Sequence, residues 1–465
     1  MTSTERIQDL LNRIYGPKQG RQAHDRLMPL IEGFDKKPSR NASRFDRGDM
    51  VLITYGDTLR HPGENPLATF HRFARRFLKG VISSVHFLPF FPYSSDDGFS
   101  VKDFFRIDEA LGGWNDVARI GEDFNLMFDF VINHFSAESQ WFQAYLEDRP
   151  GFEHFAIEVD PAADLSSVTR PRSLPLLTPF TKKDGRRVYL WSTFSADQID
   201  FNYGSIDVLE KMVRTLLFYV QKGAAILRLD AIAYLWKTVG TPCIHLPRTH
   251  DMVRLFRRIL DMAAPDVMLI TETNVPHEEN ISYFGSGRDE AQMVYNFTLP
   301  PLLFYTFVKQ DATMLTRWAR GLRLPSSETA FFNFTASHDG IGVRPLEGLL
   351  PAEEIDLLVD VVQANGGQVS YKDNPDGSQS PYELNITYVD AILADSRSDN
   401  TDKFLASQAI QYSLPGVPAT YIHSLLGSRN WHAGVRKTGR ARTINREKLN
   451  LERILAELDD PASFR

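Results

Sequence analysis

The sequence has a single cysteine, Cys243, among its 465 residues, which excludes an internal disulfide bond and is typical of a reducing compartment. It also lacks any apolar run of about 18 residues, the length that a membrane helix requires. Its first residues carry charges where a secretory signal peptide has an unbroken apolar segment. These absences predict a cytoplasmic protein with no membrane partner.

Positive charge is also in deficit. The 52 Lys and Arg residues are outnumbered by 59 Asp and Glu residues, and the net charge of −7 argues against nucleic acid as a partner. The sequence contains no His/Cys group with metal-ligand spacing, no Walker loop and no dinucleotide fingerprint. We therefore expect neither a metal ion nor an organic cofactor.

The sequence does contain a regular series of short apolar runs, several of them separated by helical patterns such as residues 207–223, with Ser205 as a possible N-cap and Gly223 as a stop. Strands that alternate with helices predict a parallel sheet, and eight of them suggest a closed (β/α)8 TIM barrel. The eight runs are 51–55, 85–90, 126–133, 225–231, 267–272, 293–297, 331–339 and 419–423.

The predicted domains follow from the intervals between these runs. Residues 1–48 form an N-terminal helical extension, and the barrel comprises residues 49–135, 204–344 and 401–465. Two intervals are too long for one crossover, so residues 136–203 and 345–400 are predicted to be insertions on the loop side, after the third and seventh strands.

The carboxyl ends of the predicted strands carry charge that a purely structural barrel does not need. In "ILRLDAIAY" (226–234), Arg228 and Asp230 project to the same face of a buried strand. Glu272 and Asp339 end later strands, so the three carboxylates converge only in a barrel. Such a group suits glycoside chemistry, in which one carboxylate attacks the anomeric carbon and another protonates the leaving oxygen. Arg228 would lower the pKa of Asp230, and burial or nearby negative charge would raise that of Glu272.

Four segments resemble the signature segments of the α-amylase family of glycoside hydrolases, glycoside hydrolase family 13: "FDFVINH" (128–134), "LRLDAIAY" (227–234), "LITETN" (269–274) and "NFTASHD" (333–339). Others, including "RPRSLPLLTPFT", "LPGVPATYI" and "TINRE", look like the sucrose phosphorylase subfamily. The resemblance implies that Asp230 is the nucleophile, Glu272 the acid/base and Asp339 the stabiliser of the transition state.

The resemblance also implies a glucose subsite and a domain organisation. Relatives usually continue into a small β-rich C-terminal domain, which is expected to be missing or shortened because the sequence stops at Arg465. The insertion after the third strand corresponds to their B-type domain. The residues that match the glucose subsite are Asp96, Phe99, His134, Arg228, Tyr234, His338 and Arg442.

The acceptor side departs from the sucrose phosphorylase pattern. Arg172 and Tyr382 match loop residues tied to phosphate and acceptor handling, but Asn274 stands where a histidine is typical, and Glu383 where a glutamine is. Both positions are expected to face the leaving group, so the departures predict a leaving group other than fructose. The segments "GTPCIHLPRTH" (240–250) and "SPYELN" (380–385) resemble relatives that act on glucosylglycerol and glucosylglycerate.

Glu383 favours glycerol of the two, because a carboxylate accepts hydrogen bonds from hydroxyls and repels the carboxylate of glycerate unless a cation such as Arg172 intervenes. The predicted function is reversible phosphorolysis of 2-O-α-glucosylglycerol to α-glucose 1-phosphate through a β-glucosyl-enzyme, with inorganic phosphate as co-substrate. The alternatives are glucosylglycerate phosphorylase, sucrose phosphorylase, an α-glucosidase or transglucosidase, and a non-catalytic sugar-binding barrel. The expected partners are the glucoside and phosphate, and the chain is expected to be a monomer or homodimer.

Overall fold

The computed structural model describes residues 2–35, 44–172, 174–374, 377–393 and 401–463. Eight parallel strands form a closed barrel in sequential order, and the barrel closes where β1 pairs with β8. The strands are β1 (Val51–Thr54), β2 (Ser84–Phe87), β3 (Asn125–Val131), β4 (Ala224–Asp230), β5 (Met268–Thr271), β6 (Met293–Tyr295), β7 (Ala330–Phe334) and β8 (Val417–Tyr421). Each strand lies within or next to one of the eight predicted apolar runs, so the TIM-barrel prediction is confirmed.

Helices surround this barrel and cross from one strand to the next. Their bounds are α1 (Ser3–Tyr15), α2 (Pro17–Glu32), α3 (Pro66–Phe77), α4 (Trp114–Gly121), α5 (Gln140–Leu146), α6 (Ile206–Gln221), α7 (Pro247–Ala263), α8 (His277–Ile281), α9 (Leu299–Lys309), α10 (Thr313–Gly321), α11 (Ala352–Ala364), α12 (Tyr388–Ile392), α13 (Thr401–Ser413), α14 (Ile422–Leu425), α15 (His432–Thr438) and α16 (Leu451–Asp459). The predicted helix over 207–223 is α6, with Ser205 at its N-cap position.

The N-terminal helices α1 and α2 pack on the outside of the barrel, against α6 and α7. The apolar face of α1 is fully or almost fully buried, because its apolar residues recur at helical spacing. Arg26 of α2 forms ion pairs with Asp207 and Glu210 of α6, at 2.7 and 2.6 Å. The predicted helical extension is therefore docked on the barrel.

Shorter strands lie between the barrel elements. They are Leu59–Arg60 with Leu449–Asn450, His134–Ser136 with Gln198–Asp200, Leu177–Thr181 with Arg187–Trp191, and the three-stranded sheet of Ile341–Gly342, Gln368–Asp373 and Gln379–Asn385. Residues 136–203 thus contain one helix, α5, one complete antiparallel pair and the strand Gln198–Asp200, whose partner begins at His134. Residues 345–400 contain α11, α12 and two strands among their described positions. Their assignment as separate inserted domains, with the predicted boundaries, stays a prediction.

The largest hydrophobic core lies inside the barrel and between its strands and helices, where Phe, Leu, Ile and Val side chains are fully buried. A second core joins α9, α11 and α12, and a small third one surrounds Trp191. Among the described residues, no helix combines the length and the apolar character that a membrane crossing needs. The carboxyl ends of the barrel strands, which lie next to this core, position the candidate active site.

Candidate active site

A cavity of about 660 Å³, part of it open to solvent, lies at the carboxyl ends of the barrel strands. All of the predicted site residues except Glu383 line it: Asp96, Phe99, His134, Arg172, Arg228, Asp230, Tyr234, Glu272, Asn274, His338, Asp339, Tyr382 and Arg442. The structure therefore brings together residues that are more than 300 positions apart in sequence.

Arg228 lies at the centre of the carboxylate group. Its Nη1 donates a hydrogen bond to Asp230 Oδ1 at 2.7 Å, and its Nη2 lies 3.8 Å from Glu272 Oε2. The register of β3 and β4 places Asp129 directly opposite Arg228, and Nη1 also bonds to that carboxylate. Since Arg228 is only 2% exposed, this cation is neutralised by carboxylates rather than by water. The charges in β4 are therefore paired within the barrel.

Burial decides the protonation of the two carboxyls that face the cavity. Burial raises the pKa of Asp230 above its ordinary value, although Arg228 opposes the rise. The pKa of Glu272 is also raised, by burial first, with Arg228 opposing and Asp230 adding to the rise. The expected effect of Arg228 on Asp230 is thus present, but desolvation exceeds it. The raised pKa expected for Glu272 agrees with the structure.

Asp339 differs from these two carboxyls because cations surround it. Arg442 Nη1 lies 2.5 Å from Asp339 Oδ1, and Arg446 Nη2 lies 3.6 Å from the same oxygen. Burial alone would raise the pKa of Asp339, but Arg442, His338 and Arg446 outweigh it and hold the pKa well below its usual value. Asp339 is therefore a permanent negative charge in the cavity wall.

Glu383 does not line the cavity, although the sequence prediction placed it facing the leaving group. Arg442 donates to both of its oxygens, from Nε at 2.9 Å and from Nη2 at 2.6 Å. The Glu383 side chain is 3% exposed and lies behind Arg442, in the strand that pairs with Ile341–Gly342. A carboxylate in a bidentate pair of this kind has no free charge with which to repel an acceptor. Glu383 holds Arg442 in place instead.

Neutral rings form another wall of the cavity. His338 stacks on Phe99 with ring centroids 4.9 Å apart, and His134 Nε2 lies 2.9 Å from the Phe99 carbonyl oxygen. Burial lowers the pKa of both histidines, so the rings are uncharged at neutral pH. Tyr234 meets Phe194 edge to face at 5.6 Å. Flat apolar faces beside fixed polar atoms suit the binding of a sugar ring.

Asp96 lies across the cavity in a turn with a left-handed backbone, at φ 54°. Its Oδ2 accepts a hydrogen bond of 3.3 Å from Gln198 Nε2. Arg442, which Asp339 and Glu383 hold in place, lines the same cavity as Asp96. Each of these two side chains can offer polar atoms to a ligand there.

The acceptor side holds Arg172, Asn274 and Tyr382. Within the part of the chain that the structure describes, Arg172 has neither a hydrogen bond nor an ion pair. Asn274 Oδ1 is buried and likewise lacks a partner there. Burial raises the pKa of the Tyr382 hydroxyl, and nearby Arg172 opposes that rise. Unused polar groups in a cavity wall are available to a ligand.

Sequence reasoning missed several residues that complete the site. Asp129, in β3, binds Arg228 and also lies 2.9 Å from His86 Nε2. A carboxylate inside an apolar strand is the same signal that identified Asp230, so Asp129 was detectable. Phe194 and Gln198 lie in an interval with no periodic pattern, and nothing in the sequence distinguished them from loop residues.

Three comparisons with known proteins agree with this geometry. Residues 77–339 match the family model described as alpha amylase, catalytic domain. A glucosylglycerate phosphorylase of Spirochaeta thermophila is 52% identical over 100% of this chain and 80% of its own length. A glucosylglycerol phosphorylase of Marinobacter adhaerens is 29% identical over 88% of this chain and 84% of its own length. The crystal structure of a sucrose 6F-phosphate phosphorylase from Thermoanaerobacter thermosaccharolyticum superposes with a TM-score of 0.80 at 27% identity, over 90% of this chain and 86% of that one.

Proposed function

Since the chain belongs to the α-amylase family of enzymes, we propose that it is a retaining glycoside phosphorylase whose substrate is an α-glucoside of glycerate. The observation that carries the proposal is the contrast between the relatives: 52% identity to a glucosylglycerate phosphorylase against 29% to a glucosylglycerol phosphorylase. This contrast favours glucosylglycerate, which the sequence analysis gave as an alternative, over glucosylglycerol, which it put first. Inorganic phosphate is the co-substrate, and no metal or organic cofactor takes part.

The geometry supports a division of roles between Asp230 and Glu272. Arg228 donates a direct hydrogen bond to Asp230 and lies farther from Glu272, so the ionised form is favoured on Asp230 and the proton on Glu272. Asp230 is then ready to attack the anomeric carbon of the glucoside, while Glu272 protonates the leaving oxygen of glycerate. The backbone N–H of Ala231 donates to Glu272 Oε2 at 3.2 Å and fixes its position.

The second half-reaction returns the glucosyl group to phosphate. A phosphate oxygen gives its proton to Glu272 and attacks the anomeric carbon of the β-glucosyl-enzyme, the bond to Asp230 breaks, and α-glucose 1-phosphate leaves. Asp339 stays ionised because of Arg442 and stabilises the positive charge that develops on the sugar in both steps. Two displacements at one carbon retain its configuration.

The charges on the acceptor side support an anionic leaving group. The only carboxylate that had argued for neutral glycerol, Glu383, is neutralised by Arg442. Arg172, in contrast, faces the cavity and, among the described residues, has no carboxylate partner. An unpaired guanidinium attracts both the carboxylate of glycerate and the phosphate that replaces it. Sucrose and glucosylglycerol remain the comparison substrates.

The test is a measurement of α-glucose 1-phosphate released from 2-O-α-glucosylglycerate, 2-O-α-glucosylglycerol and sucrose in the presence of phosphate. We expect glucosylglycerate to give the highest kcat/KM, and the rate to depend on phosphate concentration. Free glucose, formed at a rate that phosphate does not change, would identify a hydrolase instead. Faster turnover of glucosylglycerol would restore the first prediction from the sequence.

The kcat/KM for the glucoside is expected to fall on the alkaline side near pH 7. Burial, opposed by Arg228, raises the pKa of Glu272 to about 7, and a general acid acts only while it holds its proton. Activity is therefore lost as the pH rises through this pKa, and it also falls at low pH, where Asp230, whose pKa burial raises, is protonated and cannot attack. Glu272→Gln should slow the glucoside reaction by about 10²- to 10⁴-fold.

The matched control for this pH profile is α-glucosyl fluoride, whose leaving group needs no proton. With this substrate the wild-type enzyme and Glu272→Gln should form the glucosyl-enzyme at similar rates, without the alkaline limb. An alkaline limb that persists in Glu272→Gln would assign the titration to another group.

A further inference from the structure

Arg344 lies on the acceptor side, immediately behind the cavity wall. It begins a short 3-10 helix, Arg344–Leu346, directly after the strand Ile341–Gly342. Val343 N–H donates to the Tyr382 carbonyl oxygen at 3.1 Å. A Cβ atom at Gly342 would be 2.4 Å from Asn274 Nδ2, so the backbone just before Arg344 touches a residue of the cavity wall. The two residues that precede Arg344 thus adjoin Asn274 and Tyr382, which places Arg344 close behind this part of the wall.

The Arg344 side chain has no anionic partner among the described residues. Its Nε is buried there without a hydrogen-bond acceptor. Two other arginines near the site are held by carboxylates: Arg228 by Asp129 and Asp230, and Arg442 by Asp339 and Glu383. A buried guanidinium nitrogen without an acceptor is costly, unless a ligand supplies one.

The charge of Arg344 reaches the cavity. Burial raises the pKa of the Tyr234 hydroxyl, Tyr382 adds to the rise, and Arg344 opposes it more strongly than Arg172 does. Tyr234 and Arg172 both line the cavity, whereas Arg344 stands one layer behind. Because no ion pair holds Arg344 among the described residues, rotation of its long side chain can bring the guanidinium to an acceptor beside Tyr234.

We propose that Arg344 binds the carboxylate of the acceptor and thereby selects glycerate over glycerol. The inference rests on the proposed function and deepens it. In 2-O-α-glucosylglycerate the carboxylate is attached to the carbon that carries the glycosidic oxygen, so it lies beside Glu272 and Tyr234. A second cation is useful there, because the carboxylate and the phosphate that follows it require a guanidinium in different positions.

The test uses the full-length chain in the synthetic direction, with α-glucose 1-phosphate as donor and either glycerate or glycerol as acceptor. In Arg344→Gln, kcat/KM for glycerate should fall about 10- to 100-fold, the range for loss of a charged hydrogen bond, while kcat/KM for glycerol stays within about twofold. Arg344→Lys should recover part of the lost kcat/KM for glycerate, since lysine keeps the positive charge but cannot form the two parallel hydrogen bonds of a guanidinium. Hydrolysis of α-glucose 1-phosphate without acceptor should not change.

Arg317→Gln, at an exposed position of α10, is the matched control and should behave as wild type. Arg344→Met, which keeps the apolar stem, replaces Arg344→Gln if that variant is insoluble. An unchanged ratio of glycerate to glycerol activity in either variant would overturn the role of Arg344 alone, provided that the wild type uses glycerate. A wild type that transfers no glucose to glycerate would overturn the proposed function, and with it this inference.

Discussion

Asp230→Asn is expected to lower kcat for phosphorolysis by about four orders of magnitude or more, the scale seen when a covalent nucleophile is removed. The amide keeps the shape of the side chain and can still accept the 2.7 Å hydrogen bond from Arg228, so the site should remain assembled. It has no charged oxygen with which to attack the anomeric carbon. The measurement is the release of α-glucose 1-phosphate at saturating glucoside and phosphate.

The same variant should keep its stability, which separates loss of chemistry from loss of fold. Because burial raises the pKa of Asp230, folding favours the protonated form, and the stability that it contributes is lost as the pH rises through the folded pKa. Replacement by a neutral amide removes this cost, so the melting temperature at pH 8 should be equal to or higher than that of wild type.

Asp360→Asn, on the exposed face of α11, is the control for replacing an aspartate by an asparagine away from the cavity, and it should leave kcat unchanged. Phosphorolysis by Asp230→Asn within tenfold of the wild-type rate would refute the nucleophile assignment. A large fall in its melting temperature would point to a structural role for Asp230 instead.

The barrel was predictable from the sequence because its strands are short and apolar and several of them are separated by helical patterns. Strands buried on both faces have no polar alternation, so continuous runs such as 51–55 and 126–133 stand out from their surroundings. The sheet among Ile341–Gly342, Gln368–Asp373 and Gln379–Asn385 was not predicted as such, since the last two strands are only partly buried and lie in a turn-rich interval. Local sequence patterns therefore predict the strands of the buried barrel better than the partly buried strands around it.

The site was predictable where a charge interrupts an apolar strand, as at Arg228 and Asp230. It was not predictable where the decisive fact is a pairing between distant residues. Glu383 and Arg442 are 59 residues apart, and only the fold shows that the two charges cancel. Arg344, in the same region, differs from Glu383 because no described carboxylate reaches it. Sequence reveals which charges are present, whereas the net charge that a substrate meets depends on their partners.

Arg228→Met is expected to destabilise the folded protein and nearly abolish activity together. Arg228 is buried between Asp129, Asp230 and Glu272, and removal of one partner of a buried charge group costs about 3–5 kcal/mol of unfolding free energy. Burial would raise the pKa of Asp129, and Arg228 is the largest influence that now lowers it. Without the cation, the pKa of Asp129 is no longer held down, and the pKa values of Asp230 and Glu272 rise further.

This rise gives the destabilisation a definite pH dependence. Carboxyls that take up protons on folding stabilise the protein below their folded pKa and lose that contribution as the pH rises through it. The deficit of Arg228→Met relative to wild type should therefore be larger at pH 8 than at pH 5, in urea unfolding followed by circular dichroism. The remaining folded enzyme should turn over at least about 10³-fold more slowly, because Asp230 is then protonated and cannot attack.

Arg257→Met is the matched control, since Arg257 is equally buried but lies in α7, away from the cavity. It bonds to Asp261 at 2.8 Å, to the Val267 carbonyl oxygen at 2.6 Å and to Gln292 at 3.0 Å. We expect a comparable loss of stability in that variant, with kcat per folded molecule close to wild type. Equal kcat values in the two variants would mean that Arg228 acts only through folding. A wild-type unfolding free energy in Arg228→Met would mean that the carboxylates of the site do not depend on this cation.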